Sequence, residues 1–413
     1  VRGIGMSEAI LTEEAAAAYV RRTVDFFPEG EPLTAEILAG DRPSVDGHAN
    51  VIAVVRSADG RSLILKQMLP YLRAFRDVAV TDERIKIEVG SLRLWDVICP
   101  GSVPKIYLWD DANKILLMED LGRMRILSAE LIGMKRFPKL PRQLGTFLGR
   151  VAFYTSDLFL DHETKSAREA LFGSVDTKGI WVNFTFKPLL AGEPKGFDSP
   201  ELEAEFDRFR RNGIVREEIG KLRDIYVGKR QCLIHSDLLP ANVFVDEDDM
   251  KIFDTEYADY GPIAFDIGRL FGSILLTYAS CFGLTDRPPA EIRDYQDYLL
   301  GLILETYGEF ERTFLEAWDL NLPAGDERRE YRKFVMKSML EETLGFLSCM
   351  AVSRIFNRSL GFEFKRIQDP ARRAPGQLFV VRLAERLLAR RRSVRSMEEL
   401  VGIVRDAEAS IRP

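Results

Sequence analysis

The period of the apolar positions changes near Leu121. From Asn50 the apolar residues come in short runs: NVIAVVR, the polar turn SADG, then SLILKQM, which predicts a β-hairpin closed by an Asp-Gly turn. TDERIKIEVGSLRLWDV shifts to helical spacing, with Ile85, Val89, Leu92 and Trp95 along one face and Thr81 or Asp82 placed to cap its start. KIYLWDDANKILLMEDL returns to strands and turns at Asp110 to Asn113. The chain to about Leu121 therefore predicts a small sheet with one packed helix.

Beyond Leu121 long helical periods take over, as in LPRQLGTFLGRVAFYTSDLFL and ELEAEFDRFRRNGIVREEIGKLRDIYV. One further hairpin interrupts them in LIHSDLLPANVFVDEDDMKIFDTEYADYGP, from Leu233 to Pro262, where VFV and MKIF are the strands and DEDD reads as a solvated turn. GIWVNFTFKPLLAGEPKGF, from Gly179 to Phe197, ends in Pro and Gly and predicts an irregular loop over the helical part, with Trp181, Phe184 and Phe186 as core aromatics. FGSILLTYASCFGL, Phe271 to Leu284, is shorter than the roughly 20 residues that span a bilayer and predicts a buried helix. RLLARRRSVR reads as the cationic end of a helix, and the following SMEE has capping-box spacing for a last one. The fold class expected is α+β, with a first domain over residues 1–119 and a mainly helical second over 120–413.

Composition narrows the partners. At 46% apolar the 413 residues can bury a large core, and 58 basic against 64 acidic side chains give a net charge of -6. That balance argues against a broad electrostatic grip on nucleic acid or an anionic membrane, which leaves a small-molecule or protein partner. Cys99, Cys232, Cys281 and Cys349 have no paired spacing, which fits neither a zinc cluster nor a disulfide framework. The opening VRGIGMSEAILTEE lacks a basic region followed by an apolar run, so a cytoplasmic setting is expected.

The chemistry gathers around the late hairpin. Asn242 and Asp254 stand at its open end, where cross-strand neighbours lie roughly 5 Å apart and an amide oxygen and a carboxylate can share a hard cation such as Mg²⁺. Asp237, five positions before Asn242, is placed to accept a proton from a hydroxyl, and His235 to brace the loop by hydrogen bonding. One base, metal-binding oxygens and little covalent work are what phosphoryl transfer requires. Upstream, Lys66 in LILKQ offers an ammonium for phosphates, with Glu88 on the intervening helix as its partner.

Taken together, HSDLLPAN, IFDTE, LILKQ and LLMEDL resemble the aminoglycoside phosphotransferase and choline kinase group, relatives of the protein kinases. Within it, LKQMLPY, RIKIEVGSL, LLMEDL, FYTSDLFLD, YADYGPIAFDIG and RIQDPARRA resemble, in order and over nearly the whole chain, the 5-methylthioribose kinases of bacteria and plants. The resemblance implies a protein-kinase-like two-lobed fold, ATP and Mg²⁺ as cofactors, and a homodimer. Asp237 would be the catalytic base at the sugar hydroxyl, Asp254 would ligate magnesium with Asn242 assisting, and Glu256 would support that site. Lys66 and Glu88 would position the phosphates, and Asp46, Gly47 and Asn50 would belong to the loop covering the nucleotide. Met118, Glu119 and Leu121 would form the hinge whose backbone binds adenine, Asp266 would anchor the catalytic loop, and Arg354 would contact sugar or phosphate.

The chain also departs from that family. His48 stands where an asparagine is usual in Asp-Gly-Asn-x-Asn, Asn242 where a smaller residue is usual, and Ser353 where Arg354 would have an arginine beside it. These leave a second acceptor open, another pentose derivative or an antibiotic. A pseudokinase is disfavoured because Lys66, Asp237 and Asp254 are all kept.

Overall fold

The computed structural model describes residues 11–38, 50–72, 75–191, 197–322, 325–356 and 361–411. The backbone divides into two compact units. The first comprises Val1–Ile126, Ala241–Asp246 and Met250–Ala258, and the second comprises Leu127–Pro240, Glu247–Asp249 and Asp259–Pro413.

In the first unit, helix α1 (Glu13–Thr23) starts where the Thr12 side chain accepts the Ala15 N–H. Strands β1 (Leu33–Ile37), β2 (Val51–Ser57) and β3 (Ser62–Gln67) are followed by the short pair β4 (Tyr71–Leu72) and β5 (Phe75–Ala79), then helix α2 (Arg84–Ile98). Strands β6 (Ile106–Asp110) and β7 (Ile115–Glu119) complete a five-stranded antiparallel sheet in the order β1-β2-β3-β7-β6. The expected Asp-Gly turn joins β2 to β3: Asp59 Oδ1 accepts the Arg61 N–H, and Gly60 takes φ +87°, which a side chain would resist. Alternation along β3 separates two tasks. Leu63 and Leu65 pack with Ala53, Val55 and the α1 residues Ala16, Tyr19 and Val20, so Lys66 is left for the other face. Strands β8 (Arg125–Ile126), β10 (Val243–Val245) and β11 (Met250–Ile252) form a second antiparallel sheet in the order β11-β10-β8.

The α2 cap differs from expectation. The helix begins at Arg84, Glu83 is its N-cap without a side-chain bond, and Thr81 Oγ1 accepts only the Glu83 N–H. Arg84 explains the delay: its guanidinium is buried and donates from Nε to the Thr81 carbonyl, which ties down the segment where an earlier turn would begin.

The second unit is mostly helical: α3 (Leu127–Ile132), α4 (Leu140–Tyr154), α5 (His162–Phe172), α6 (Thr177–Trp181), α7 (Lys187–Ala191), α8 (Pro200–Arg211), α9 (Gly213–Gly228), α10 (Ile263–Ser280), α11 (Pro289–Asn321), α12 (Asp326–Phe356), α13 (Phe362–Lys365), α14 (Pro370–Arg390) and α15 (Glu399–Ala409). Strand β9 (Cys232–Ile234) pairs antiparallel with β12 (Asp259–Gly261). The expected buried helix is α10, every residue of which is buried. It is long and apolar enough to cross a membrane by composition alone, yet the unit surrounds it entirely. Its close approach to α12 depends on Gly268, where a Cβ would lie 2.7 Å from the Leu347 nitrogen.

Three local expectations change here. Gly179–Phe197 is not a loop in its described part: α6 runs into a π-helical turn, Val182–Phe186, and on into α7. Asp176 caps the start by accepting the Gly179 N–H, and Phe186 and Leu189 bury against the unit, so tertiary packing holds a helix that the composition did not favour. Of its three aromatics only Phe186 is core; Trp181 is half-buried and Phe184 is 55% exposed. The basic run after Arg386 is not simply a dipole complement, since Arg391 is buried and bonded to Glu218. Finally, Glu399 reaches back to the Arg395 N–H, and α15 has no side-chain N-cap bond at Glu398.

Candidate active site

Within the first unit, two distant stretches of chain, helix α2 and the segment after β11, converge on Lys66. Its ammonium, 4% exposed, lies 2.8 Å from Glu88 Oε2, 2.6 Å from Asp254 Oδ1 and 3.7 Å from Glu256 Oε2. Burial works against the charged lysine, but Asp254, Glu88 and Glu256 outweigh it and hold the ammonium well above its ordinary value. Glu88 feels the opposite pressure. Burial pushes its carboxyl up to about 7, Lys66 opposes this, and Asp254 and Glu256 add to it. The charge at this corner is therefore finely balanced, three carboxylates against Lys66 and one more cation.

That second cation is Arg84, which sequence reasoning missed. From the first position of α2 its Nη1 donates to Glu256 Oε1 at 2.6 Å, Nη2 reaches the Leu69 carbonyl, and the guanidinium faces the Tyr257 ring. Glu256 Oε2 accepts Asn50 Nδ2 at 2.7 Å, so both of its oxygens are held. A signal was present: Arg84 is four positions before Glu88 and shares its helix face.

Asp254 differs from its neighbours in openness and backbone. Its side chain keeps 28% exposure, and its φ of +60° turns the chain sharply after β11. Thr255 is fully buried and bonds Ser91 Oγ on α2 at 2.6 Å, which fixes the carboxylates on either side of it. Glu88, Asp254 and Glu256 each offer an oxygen within 4.8 Å of the others. Hard carboxylate oxygens, with the buried Asn50 Oδ1 lacking a hydrogen-bond partner among the described residues, suit a divalent cation such as Mg²⁺. Asn242 is buried just before β10, and its carbonyl accepts the Phe253 N–H at 3.2 Å. Met118 and Glu119 end β7, Met118 opposite Ile64 and Glu119 bound to Lys251, and Leu121 is buried just beyond. Asp46, Gly47 and His48 lie outside the described residues.

The second unit holds the other predicted group. Asp266, at the start of α10, accepts the backbone N–H of His235 at 2.6 Å and of Ser236 at 2.9 Å. Burial pushes the Asp266 carboxyl up to about 6, against the lowering effect of His235 and the two amides. Ser236 takes φ +68°, and His235, buried, accepts the Asp237 N–H at Nδ1. The loop is thus gripped at three successive residues, and the Asp237 side chain meets Arg269, whose Nη2 donates to Asp237 Oδ1. Arg269 is a second residue that sequence reasoning missed, although it sits three positions after Asp266 on the same helix. Arg354 lies 3.6 Å from the buried Glu363 and faces the Phe362 ring, while the Ser353 hydroxyl donates to its own helix at Met350.

The first unit thus holds a lysine clamped by a helix glutamate beside an open aspartate, and the second holds a braced His-x-Asp loop. The phosphotransferase enzyme family model (APH) matches residues 55–310, and the chain belongs to that family; the resemblance carried by HSDLLPAN and IFDTE is borne out. A methylthioribose kinase from Geobacillus sp. (strain WCH70) is 28% identical over 394 residues, covering 94% of each chain. One from Bacillus velezensis is 30% identical over 348 residues, 83% of each. A crystal structure of choline kinase from Cryptosporidium parvum Iowa II is 12% identical, with a TM-score of 0.48, covering 96% of this chain and 99% of that one. The protein is an enzyme, an ATP-dependent phosphotransferase.

Proposed function

We propose that the enzyme transfers the γ-phosphoryl group of ATP to the anomeric hydroxyl of 5-methylthioribose, giving the 1-phosphate for methionine salvage. The observation that carries this reading is the likeness to methylthioribose kinases along nearly the whole of both chains. Asp237 accepts the hydroxyl proton as the acceptor oxygen bonds to the γ-phosphorus and the bond to the ADP oxygen breaks. Lys66, held by Glu88, positions the phosphates. Asp254, Asn242 and Glu256 would hold Mg²⁺, which when bound neutralises charge on the phosphate oxygens. Met118 to Leu121 receive adenine, and Asn50, bonded to Glu256, lies on the nucleotide side.

Arg269 supports a neutral acceptor over a polycation. A guanidinium beside the base tolerates a neutral thio-sugar and repels an aminoglycoside's ammonium groups. Arg354, paired to Glu363, serves the same acceptor as the one arginine left of the family's pair. A cytoplasmic homodimer completes the reading.

The test is ADP release from MgATP with 5-methylthioribose, ribose, choline and an aminoglycoside panel, with Asp237→Asn as control. Turnover selective for the thio-sugar and at least about 100-fold lower in the control is the expected outcome. If the thio-sugar is inert while another acceptor turns over, the substrate assignment is wrong.

A further inference from the structure

Arg269 is 5% exposed, and its placement is costly unless it does something specific. Its Nη2 is bonded to Asp237, its guanidinium lies 3.9 Å over the Trp181 ring and 5.5 Å from the Phe265 ring, and its Nε is buried without a hydrogen-bond partner among the described residues. The guanidinium thus meets one carboxylate and two aromatic faces, and its charge also acts on Asp266 and Tyr226. Trp181 is the last residue of α6, at the junction with the π-helical turn. Such turns carry an extra residue in the ring of backbone bonds and re-aim the side chains beside them. Here the junction presents an indole as the platform for an arginine.

We propose that Arg269, held flat by Trp181, is the positioning residue for Asp237: it fixes which carboxylate oxygen faces the acceptor hydroxyl. The inference rests on the phosphotransfer role of Asp237 given above and deepens it. Oδ1 is engaged by Arg269, so the guanidinium sets the rotation of the carboxylate that meets the acceptor hydroxyl. The backbone of the same loop is held separately by Asp266 on α10, through the His235 and Ser236 amides. One helix thus supplies an anchor for the loop and, three residues on, an aim for its side chain. A lysine could supply the charge but not the planar stack. The other charged and titratable groups around this loop are His235 on the loop itself, Asp266 from α10, Tyr226 from α9, and Lys178 from α6, which is paired with Asp259 of β12.

The experiment compares Arg269→Gln, Arg269→Lys, Trp181→Phe and Trp181→Leu with the unsubstituted enzyme. Steady-state kinetics across pH are measured together with the ¹³C-carboxyl titration of Asp237, assigned by its loss in Asp237→Asn. The expected result for Arg269→Gln is a kcat lower by about 100-fold with KM for MgATP within about twofold. The acidic limb of kcat and the Asp237 titration both move up by about one pH unit. Arg269→Lys restores the titration more than the rate, and Trp181→Leu loses more rate than Trp181→Phe.

An Arg269→Gln enzyme that folds and keeps kcat and the Asp237 titration overturns the proposal. So does a loss confined to the acceptor KM, which would make Arg269 an acceptor contact. If Arg269→Gln does not fold, Trp181→Leu and Arg269→Lys decide by the same two readouts. The carboxyl titration needs no acceptor, so an unsubstituted enzyme inert toward 5-methylthioribose refutes the substrate reading and leaves this inference to be judged by the titration.

Discussion

Asp254 and Ser236 hold φ values of +60° and +68°, in a region that side chains seldom adopt. At Asp254 the conformation puts a carboxylate beside Lys66, so the local cost of order 1–2 kcal/mol accompanies a functional contact. At Ser236 the part used by the loop is the backbone N–H that Asp266 accepts, which glycine also has. Ser236→Gly is therefore expected to stabilise the protein by about 0.5–1 kcal/mol, the relief of strain less glycine's greater entropy when unfolded, as measured by urea denaturation. A loss of stability would mean that the buried hydroxyl matters more than the backbone. The residue scale also shows what could be read from the sequence. Lys66, Glu88 and Asp254 belong to recognisable short patterns, and the structure brings their side chains together, Asp254 against Lys66 as well as the expected Glu88. Arg84 and Arg269 belong to no such pattern, and their partners lie 172 and 32 positions away.

At the scale of elements, helix α10 performs two duties, core and anchor. Its packing on α12 leaves no room at Gly268, so Gly268→Ala should cost about 1–3 kcal/mol through overpacking. Gly308 lies inside α11, where a Cβ would meet nothing within 4 Å, and Gly308→Ala should gain about 0.5–1 kcal/mol. Thermal unfolding of the pair checks the sign of both, and equal effects would refute the packing argument. The anchor duty has a pH signature. The Asp266 carboxyl is raised by burial from 3.8 to about 6, so the unfolded chain releases this proton before the folded one does. The contribution favouring the fold is whole below about pH 4 and is lost as pH rises through about 6, a change of about 3 kcal/mol. Asp266→Asn should remove that slope from a plot of unfolding free energy against pH, and an unchanged slope would show that another group carries it. The π-helical turn belongs to this scale too. Pro and Gly punctuation argued for a loop at Gly179–Phe197, whereas buried Phe186 and Leu189 made the described part helical.

For the whole molecule, the notable feature is that the first unit is not continuous in sequence. Ala241–Asp246 and Met250–Ala258 complete it, and the second of them brings Asp254 and Glu256 to Lys66. Ordering that corner requires chain closure over as many as 206 positions, the separation between Asn50 and Glu256. A fragment ending at Ile126 should therefore lack β10, β11 and these carboxylates, unfold without a cooperative transition, and show no calorimetric heat of MgATP binding. Cooperative unfolding with MgATP bound by that fragment would show that the early segment alone makes the site.

What the sequence determined by itself is the local grammar: short apolar runs for the antiparallel sheet, helical periods for the larger unit, and the spaced His-x-Asp, Asn and Asp-x-Glu groups by which the phosphotransferase family is recognised. These are properties of neighbours, and periodicity and motif spacing report neighbours well. Only the tertiary structure decided that Arg84 holds Glu256, that Arg269 meets Asp237 over the Trp181 ring, and that an apparent loop is helix. Each of those is fixed by burial and by charge pairing between segments that the linear order keeps apart. A buried charge finds its partner through the fold, and no local pattern encodes that pairing.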